Sequence, residues 1–320
     1  MEPLMTVDNS RFSLFPIKNK IAWDFYKKAL ASFWVADEID FSTDYQDFTT
    51  KLSENERTFV KYILAFFSTA DGIINENLVG NFCNEITSPE VRCFYGFQIA
   101  IENIHQETYA LFIDTLITEN LEREQLFQSI DNFPFIKKKA DWAMKWMSND
   151  RPFAERLVAF SIVEGLFFSG SFASIFWLKK RNLMKGLTFS NELIARDEGL
   201  HYQFAVYLHS ELNNKCSKER VLEIVKEAVE IEKEFFNTAL DVRLIGMNSV
   251  LMMEYIEFIA DRILYDYYQF RHYNTKNPFE FMELISLETK TNFFESRVSQ
   301  YQKASVLHND INMDTILDDF

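Results

Sequence analysis

The sequence predicts an all-α protein, and three observations carry that expectation. Eight glycines and six prolines in 320 residues leave few helix breakers. Apolar residues make up 48% of the chain, with 33 phenylalanines among them, which is ample material for a large core. Apolar positions recur at three- and four-residue spacing, and no alternating Val/Ile/Thr run marks a strand. No linker, repeat or low-complexity block divides the chain, so residues 1–320 are expected to form a single domain. An N-terminal segment over about 1–25 and a polar, flexible tail over about 300–320 are expected at its ends.

Start signals mark the helices in order. Ser53 with Glu56 three residues later forms a capping-box pattern, so a helix is expected from about 54. Ser88 before Pro89 puts proline in a first turn and starts a second near 89. Others are expected from about 152, about 189 and, after Ser217, about 218. The stretch "LVAFSIVEGLFFSGSFASIFWL" at 157–178 is long enough to cross a bilayer, with Arg156 before it and Lys179, Lys180 and Arg181 after it. Nothing else in the chain matches it, and 25% of the residues are charged, so a lone membrane span accounts for it poorly.

Charge and cysteine use narrow the function classes. The net charge of -15 disfavours nucleic acid, because binding phosphates takes clustered cations. The "IKKKAD" run at 136–141 is isolated and is expected to be a solvated helix face. Cys83, Cys93 and Cys216 are scattered and odd in number, which fits a reducing compartment. "MEPLMTVDNS" carries neither a secretory nor a transit pattern, so a soluble, cytoplasmic protein is expected, in host-cell cytoplasm if the chain is viral.

The acidic residues carry the chemistry. In "CFYGFQIAIENIHQETYALFIDT", Glu102 and His105 stand at i and i+3, with Tyr109 four residues further, so a carboxylate, an imidazole and a phenol share one helix face. "NELIARDEGLHYQFAVYL" repeats the Glu-x-x-His spacing at Glu198 and His201. One such pair is a weak signal, since a surface or capping pair produces it. Two pairs fit a bundle in which a carboxylate from each of two further helices completes a dinuclear metal site. Glu164 is one lone core carboxylate, with Phe160, Phe168, Ser171 and Phe172 on its face. Asp71 is the other, flanked by Leu64, Phe67, Ile74 and Leu78.

A buried carboxylate without a partner takes a proton rather than stay charged. If ionised, the carboxylates of Asp71, Glu102, Glu164 and Glu198 are balanced by two divalent cations, with one nitrogen to each from His105 and His201. Oxygen and nitrogen donors without thiolate suit iron or manganese and suit structural zinc poorly. Two other readings remain open at this point: a di-metal oxidase or iron-handling bundle, and a helical interaction protein without metal.

Together with "ASFWVADEIDF" at 31–41, "LAFFSTADGIINENL" at 64–78, "VEGLFFSGSFASIFW" at 163–177 and "ARDEGLH" at 195–201, these motifs show a resemblance. Over nearly its whole length the chain resembles the small, radical-bearing beta subunit of class I ribonucleotide reductase, of eukaryotic or viral type. The resemblance implies a ferritin-like helical bundle with additional helices around a di-metal carboxylate core. It implies that Asp71, Glu102 and His105 bind one iron and Glu164, Glu198 and His201 the other, with manganese as an alternative metal. Asp71 in place of Glu at the first position favours this family over ferritins. Tyr109 would carry the tyrosyl radical, and Phe168 and Phe172 would wall its pocket. By residue type alone, Tyr109 also reads as a core phenol, Trp34 as a hydrophobic anchor and Asp197 as a capping acid.

The resemblance further implies that a large (alpha) subunit reduces ribonucleotides to deoxyribonucleotides, the supply for DNA replication. The radical would leave through His105, Asp197 and Trp34, and Tyr301 would relay it across the interface. Leu317, Asp318, Asp319 and Phe320 would dock the tail on that partner, and the small subunit would be a homodimer. The chain alone is not expected to reduce nucleotides, because it has neither a dithiol pair nor a Gly-rich phosphate loop. It departs from the family pattern in its tail, about one residue shorter from Tyr301 onward and ending "TILDDF", and in the short segment before Trp34. His209, His272 and His308 are assigned no role.

Overall fold

Several helix starts in this protein are set by side chains that accept the otherwise unpaired first N–H groups. The computed structural model describes residues 2–5, 13–239, 242–245 and 247–282. Its first long helix, α1 (Lys20–Ala31), is capped by Asn19, whose Oδ1 accepts from the Ala22 amide at 2.9 Å. α2 (Glu54–Asn77) opens on the expected capping box: the Glu56 amide donates to Ser53 Oγ, and the Ser53 amide donates to Glu56 Oε2 at 2.7 Å. α3 (Pro89–Leu116) and α4 (Pro134–Met147) each carry proline in the first turn. α5 runs over Phe153–Lys180 and includes a π-helical turn at Val163–Phe167. α6 (Lys185–Glu211), α7 (Lys218–Glu234) and α8 (Ser249–Tyr268) follow. Among the described residues there is no strand.

Two differences from the sequence expectations have physical causes. α6 starts at Lys185, ahead of the expected 189, because its cap comes from far away in the chain. Asp44 accepts from the amides of Gly186 at 2.8 Å and Leu187 at 2.9 Å, and Asp47 accepts from Met184 at 2.9 Å. Gly186 permits this approach, since a Cβ there would lie 2.6 Å from the Asp40 carbonyl oxygen. The second difference is in the "IKKKAD" run: Lys137 and Lys138 pair with Asp141 and Glu234 at the surface, but Lys139 turns inward and is buried against Glu232. Helical rotation puts one residue of three on the core face.

α2 packs along α3, α5 along α6 and α4, α1 along α3, and α7 against α8. Among the described residues one helix, α5, is long and apolar enough to cross a membrane, and 94% of its most apolar window is buried inside the protein, so its hydrophobicity is spent on the core. The chain divides into two units, residues 1–278 and 279–320. Of the second, Phe279–Met282 are described, with the Phe279 and Phe281 rings 5.2 Å apart.

Candidate metal centre

Four helices bring six metal-ligand candidates into one buried cluster. α2 contributes Asp71; α3 contributes Glu102 and His105; α5 contributes Glu164 from within its π turn; α6 contributes Glu198 and His201. None is more than 2% exposed. Donor atoms of Asp71, Glu102 and His105 lie within 4.8 Å of one another, and so do those of Glu102, Glu164, Glu198 and His201. Glu102 belongs to both groups, so the two sets of donor atoms overlap at its carboxylate. Ligands about 2.1 Å from a shared ion stand roughly 3 to 4 Å apart, which this clustering approaches.

The donor set fits metal ions on a direct observation: Asp71 Oδ2, Glu102 Oε2, His105 Nδ1, Glu164 Oε2 and Glu198 Oε1 are buried without a hydrogen bond. His105 Nδ1 lies 3.3 Å from Glu102 and 3.0 Å from Glu198. His201 Nδ1 lies 2.9 Å from Glu102 and 3.0 Å from Glu198. Groups so placed need a shared cation or shared protons, because leaving a buried polar atom unmatched costs about 1–3 kcal/mol.

Without metal, protons take the part of cations. Burial, and then the charge of Glu102, push the Asp71 carboxyl well above its ordinary range; burial and Glu198 do the same to Glu164. Burial also opposes charge on Glu198, but the neighbouring Glu164, His105 and His201 outweigh it and hold this carboxyl low. Burial alone would lower both imidazoles, yet Asp197 and Glu102 raise His105 well above its usual value, and Glu102 raises His201 to about 9.

Asp197 Oδ2 is shared by two groups: it is 3.2 Å from His105 Nε2 and accepts the indole N–H of Trp34 at 2.8 Å. In the neutral imidazole the carboxylate therefore favours the proton on Nε2 and leaves the Nδ1 lone pair toward the cluster. The Trp34 and His105 rings stack at 5.8 Å with 23° between their planes. Tyr109 is buried, with its ring stacked on Phe67 at 4.7 Å. Phe168 and Phe172 pack on the same Phe67 ring at 5.6 and 5.2 Å, so Phe67 stands in ring contact with Tyr109 and with both phenylalanines expected near it. Burial, then the Asp71 charge, raise the phenol pKa well above its normal value and keep it neutral.

Sequence reasoning missed two neighbours of this site, Gln98 and Arg196, and read Phe67 only as part of the apolar stripe around Asp71. Gln98 donates to Glu164 Oε1 at 2.9 Å; it stands one turn before Glu102 on the same face, a signal that was legible. Phe67 likewise stands one turn before Asp71. Arg196 donates to Asp197 Oδ1 at 3.1 Å and to the Ser32 carbonyl at 2.7 Å, pairing that no spacing rule predicts. Tyr301, Leu317, Asp318, Asp319 and Phe320 lie outside the described residues.

Residues 11–278 match the family model described as ribonucleotide reductase, small chain. The chain is 58% identical over 308 residues to the ribonucleoside-diphosphate reductase small chain of Neurospora crassa, covering 96% of this chain and 75% of that one. It is 54% identical over 312 residues to the corresponding small chain of Vaccinia virus (strain Ankara), covering 98% of both. Among solved structures, the ribonucleotide reductase Rnr4 homodimer from Saccharomyces cerevisiae superposes with a TM-score of 0.81 at 40% identity, covering 94% of this chain and 93% of that one. The architecture is thus the ferritin-like all-helical fold that the sequence motifs implied.

Proposed function

Because the chain belongs to the ribonucleotide reductase small-chain family, we propose that it houses a di-iron centre and a radical on Tyr109. A large subunit would take up that radical to reduce ribonucleoside diphosphates to deoxyribonucleotides. The observation that carries the metal reading is the set of unpartnered, buried donor atoms shared between two overlapping groups. Asp71, Glu102 and His105 would hold one ion, and Glu164, Glu198 and His201 the other. The donor chemistry accommodates manganese as well as iron. When bound, the two ions supply from oxygen the oxidising equivalent that a phenol cannot generate by itself.

The protein's own residues then set what becomes of it. Tyr109 is held as a neutral phenol, so one electron and one proton leave it together. Phe67, Phe168 and Phe172 keep water and reductants from the ring. Asp197 positions His105 and Trp34 on one carboxylate oxygen, a continuous route from the metal ligands to an indole near the start of the bundle. Beyond the described residues, we assign Tyr301 to the relay across the subunit interface. Leu317, Asp318, Asp319 and Phe320 are assigned to docking on the large subunit, and the working form to a cytoplasmic homodimer.

The test is electron paramagnetic resonance on metal-free protein reconstituted with ferrous iron and oxygen, beside Tyr109→Phe. The parent is expected to give a sharp radical signal that the variant lacks, at equal iron content. Two bound irons without a radical in the parent would move the function to a di-metal oxidase.

A further inference from the structure

A second buried charge pair lies just outside the metal cluster. Lys139, midway along α4, is 2% exposed, and Glu232, near the end of α7, is 0% exposed; Nζ stands 2.5 Å from Glu232 Oε2. The same ammonium donates to the Phe167 carbonyl oxygen at 3.0 Å and lies over the rings of Phe235 at 3.8 Å and Phe66 at 4.0 Å. Burying such a pair strips the hydration of both ions, and exchanging it for apolar residues of similar volume is often neutral or stabilising. Stability is therefore a weak reason for its presence.

What the ammonium touches gives a better one. Phe167 closes the π turn in which Glu164 stands. Such turns are rare in helices and interrupt the regular ladder, so their register leans on contacts from neighbouring elements. Phe66 adjoins Phe67, the ring stacked on Tyr109, and itself packs on Phe168 at 5.8 Å. One buried cation thus bears on both the carboxylate-bearing turn and the outer wall of the tyrosine pocket.

We propose that Lys139, held in place by Glu232, is a positioning residue: by donating to the Phe167 carbonyl it fixes the π turn that aims Glu164 at its cation. This rests on the di-metal reading above. It makes the cation position of Glu164, Glu198 and His201 depend on Lys139, while that of Asp71 and His105 does not.

The test uses full-length metal-free protein and Mn(II) alone. Lys139→Met combined with Glu232→Gln removes both charges and leaves neither ion stranded. Crystals of parent and variant are soaked over a series of Mn(II) concentrations, and anomalous scattering gives the occupancy at each position. The expected result is a metal-free melting temperature no lower than the parent's, with apparent Mn(II) affinity about tenfold weaker at the Glu164 position and unchanged at the Asp71 position. Equal occupancies in parent and variant overturn the proposal. So does a parallel loss at both positions with a lower melting temperature, which marks a purely structural tie. If the double variant does not fold, the isosteric Glu232→Gln is read by the same criterion. A parent that binds no Mn(II) at either position defeats the di-metal reading itself, a failure distinct from a variant that binds as the parent does.

Discussion

Glu164 is a carboxylate whose surroundings oppose its charge, since burial and then Glu198 raise its pKa well above the ordinary range. Glu164→Gln keeps the shape and the Gln98 contact while removing the group that must be protonated or matched. The metal-free variant is expected to be as stable as the parent or about 1 kcal/mol more so. Its stabilisation by Mn(II) should shrink from the roughly 2.7 kcal/mol that 100 Kd of ligand confers on one site. Calorimetric melts with and without Mn(II) check both; a metal-free variant clearly weaker than the parent would show that Glu164 is already compensated. His209 offers a pH test away from the cluster. It is buried, its Nε2 accepts the Cys216 amide at 3.2 Å, and burial together with Lys215 lowers its pKa to about 4. Against an unfolded value of about 6.5, the unfolded chain binds a proton that the folded one does not between those two values. Stability from this group therefore falls as pH drops from 6.5 toward 4, by up to about 3 kcal/mol. His209→Gln should flatten that part of the profile in urea titrations at pH 7 and 4.5. Identical pH dependence in the two proteins would refute the assignment.

At the scale of elements, the π turn of α5 carries Glu164 into the cluster. Gly165 lies in it, and a Cβ there would stand 2.7 Å from Tyr202 Cδ2. Tyr202 follows His201 and is fixed at its far end by a hydrogen bond to Asp266 at 2.8 Å, so the ring has little room to retreat. Gly165→Ala is expected to cost about 1–3 kcal/mol through overpacking and to weaken metal binding. Thermal melts of the metal-free protein measure the first, and an unchanged melting temperature would mean the ring yields freely. Helix boundaries show what local sequence can carry. The start of α2 was legible because Ser53 and Glu56 cap it from within the same turn. The start of α6 was not, because Asp44 precedes the amide of Gly186 by 142 residues.

For the whole molecule, the proposed division of labour separates the bundle from the tail. Deleting residues 301–320 should leave metal content and the Tyr109 radical unchanged while abolishing nucleotide reduction with an added large subunit. Radical spectra and turnover assays on one preparation check this, and loss of the radical on truncation would instead make the tail part of the metal-binding fold. The sequence by itself determined the helical class, the starts of α2, α3, α5 and α7, and the six side chains that meet in the cluster. These are properties of composition and of spacing along single helices, and 3.6-residue periodicity encodes them directly. Only the tertiary structure decided that Glu102 belongs to both ligand groups, that Asp197 links Trp34 to His105, that Phe67 is the ring on Tyr109, and that Lys139 is buried rather than solvated. Each of these is a contact between segments far apart in the chain, and a period along one helix carries no record of which neighbour it will face.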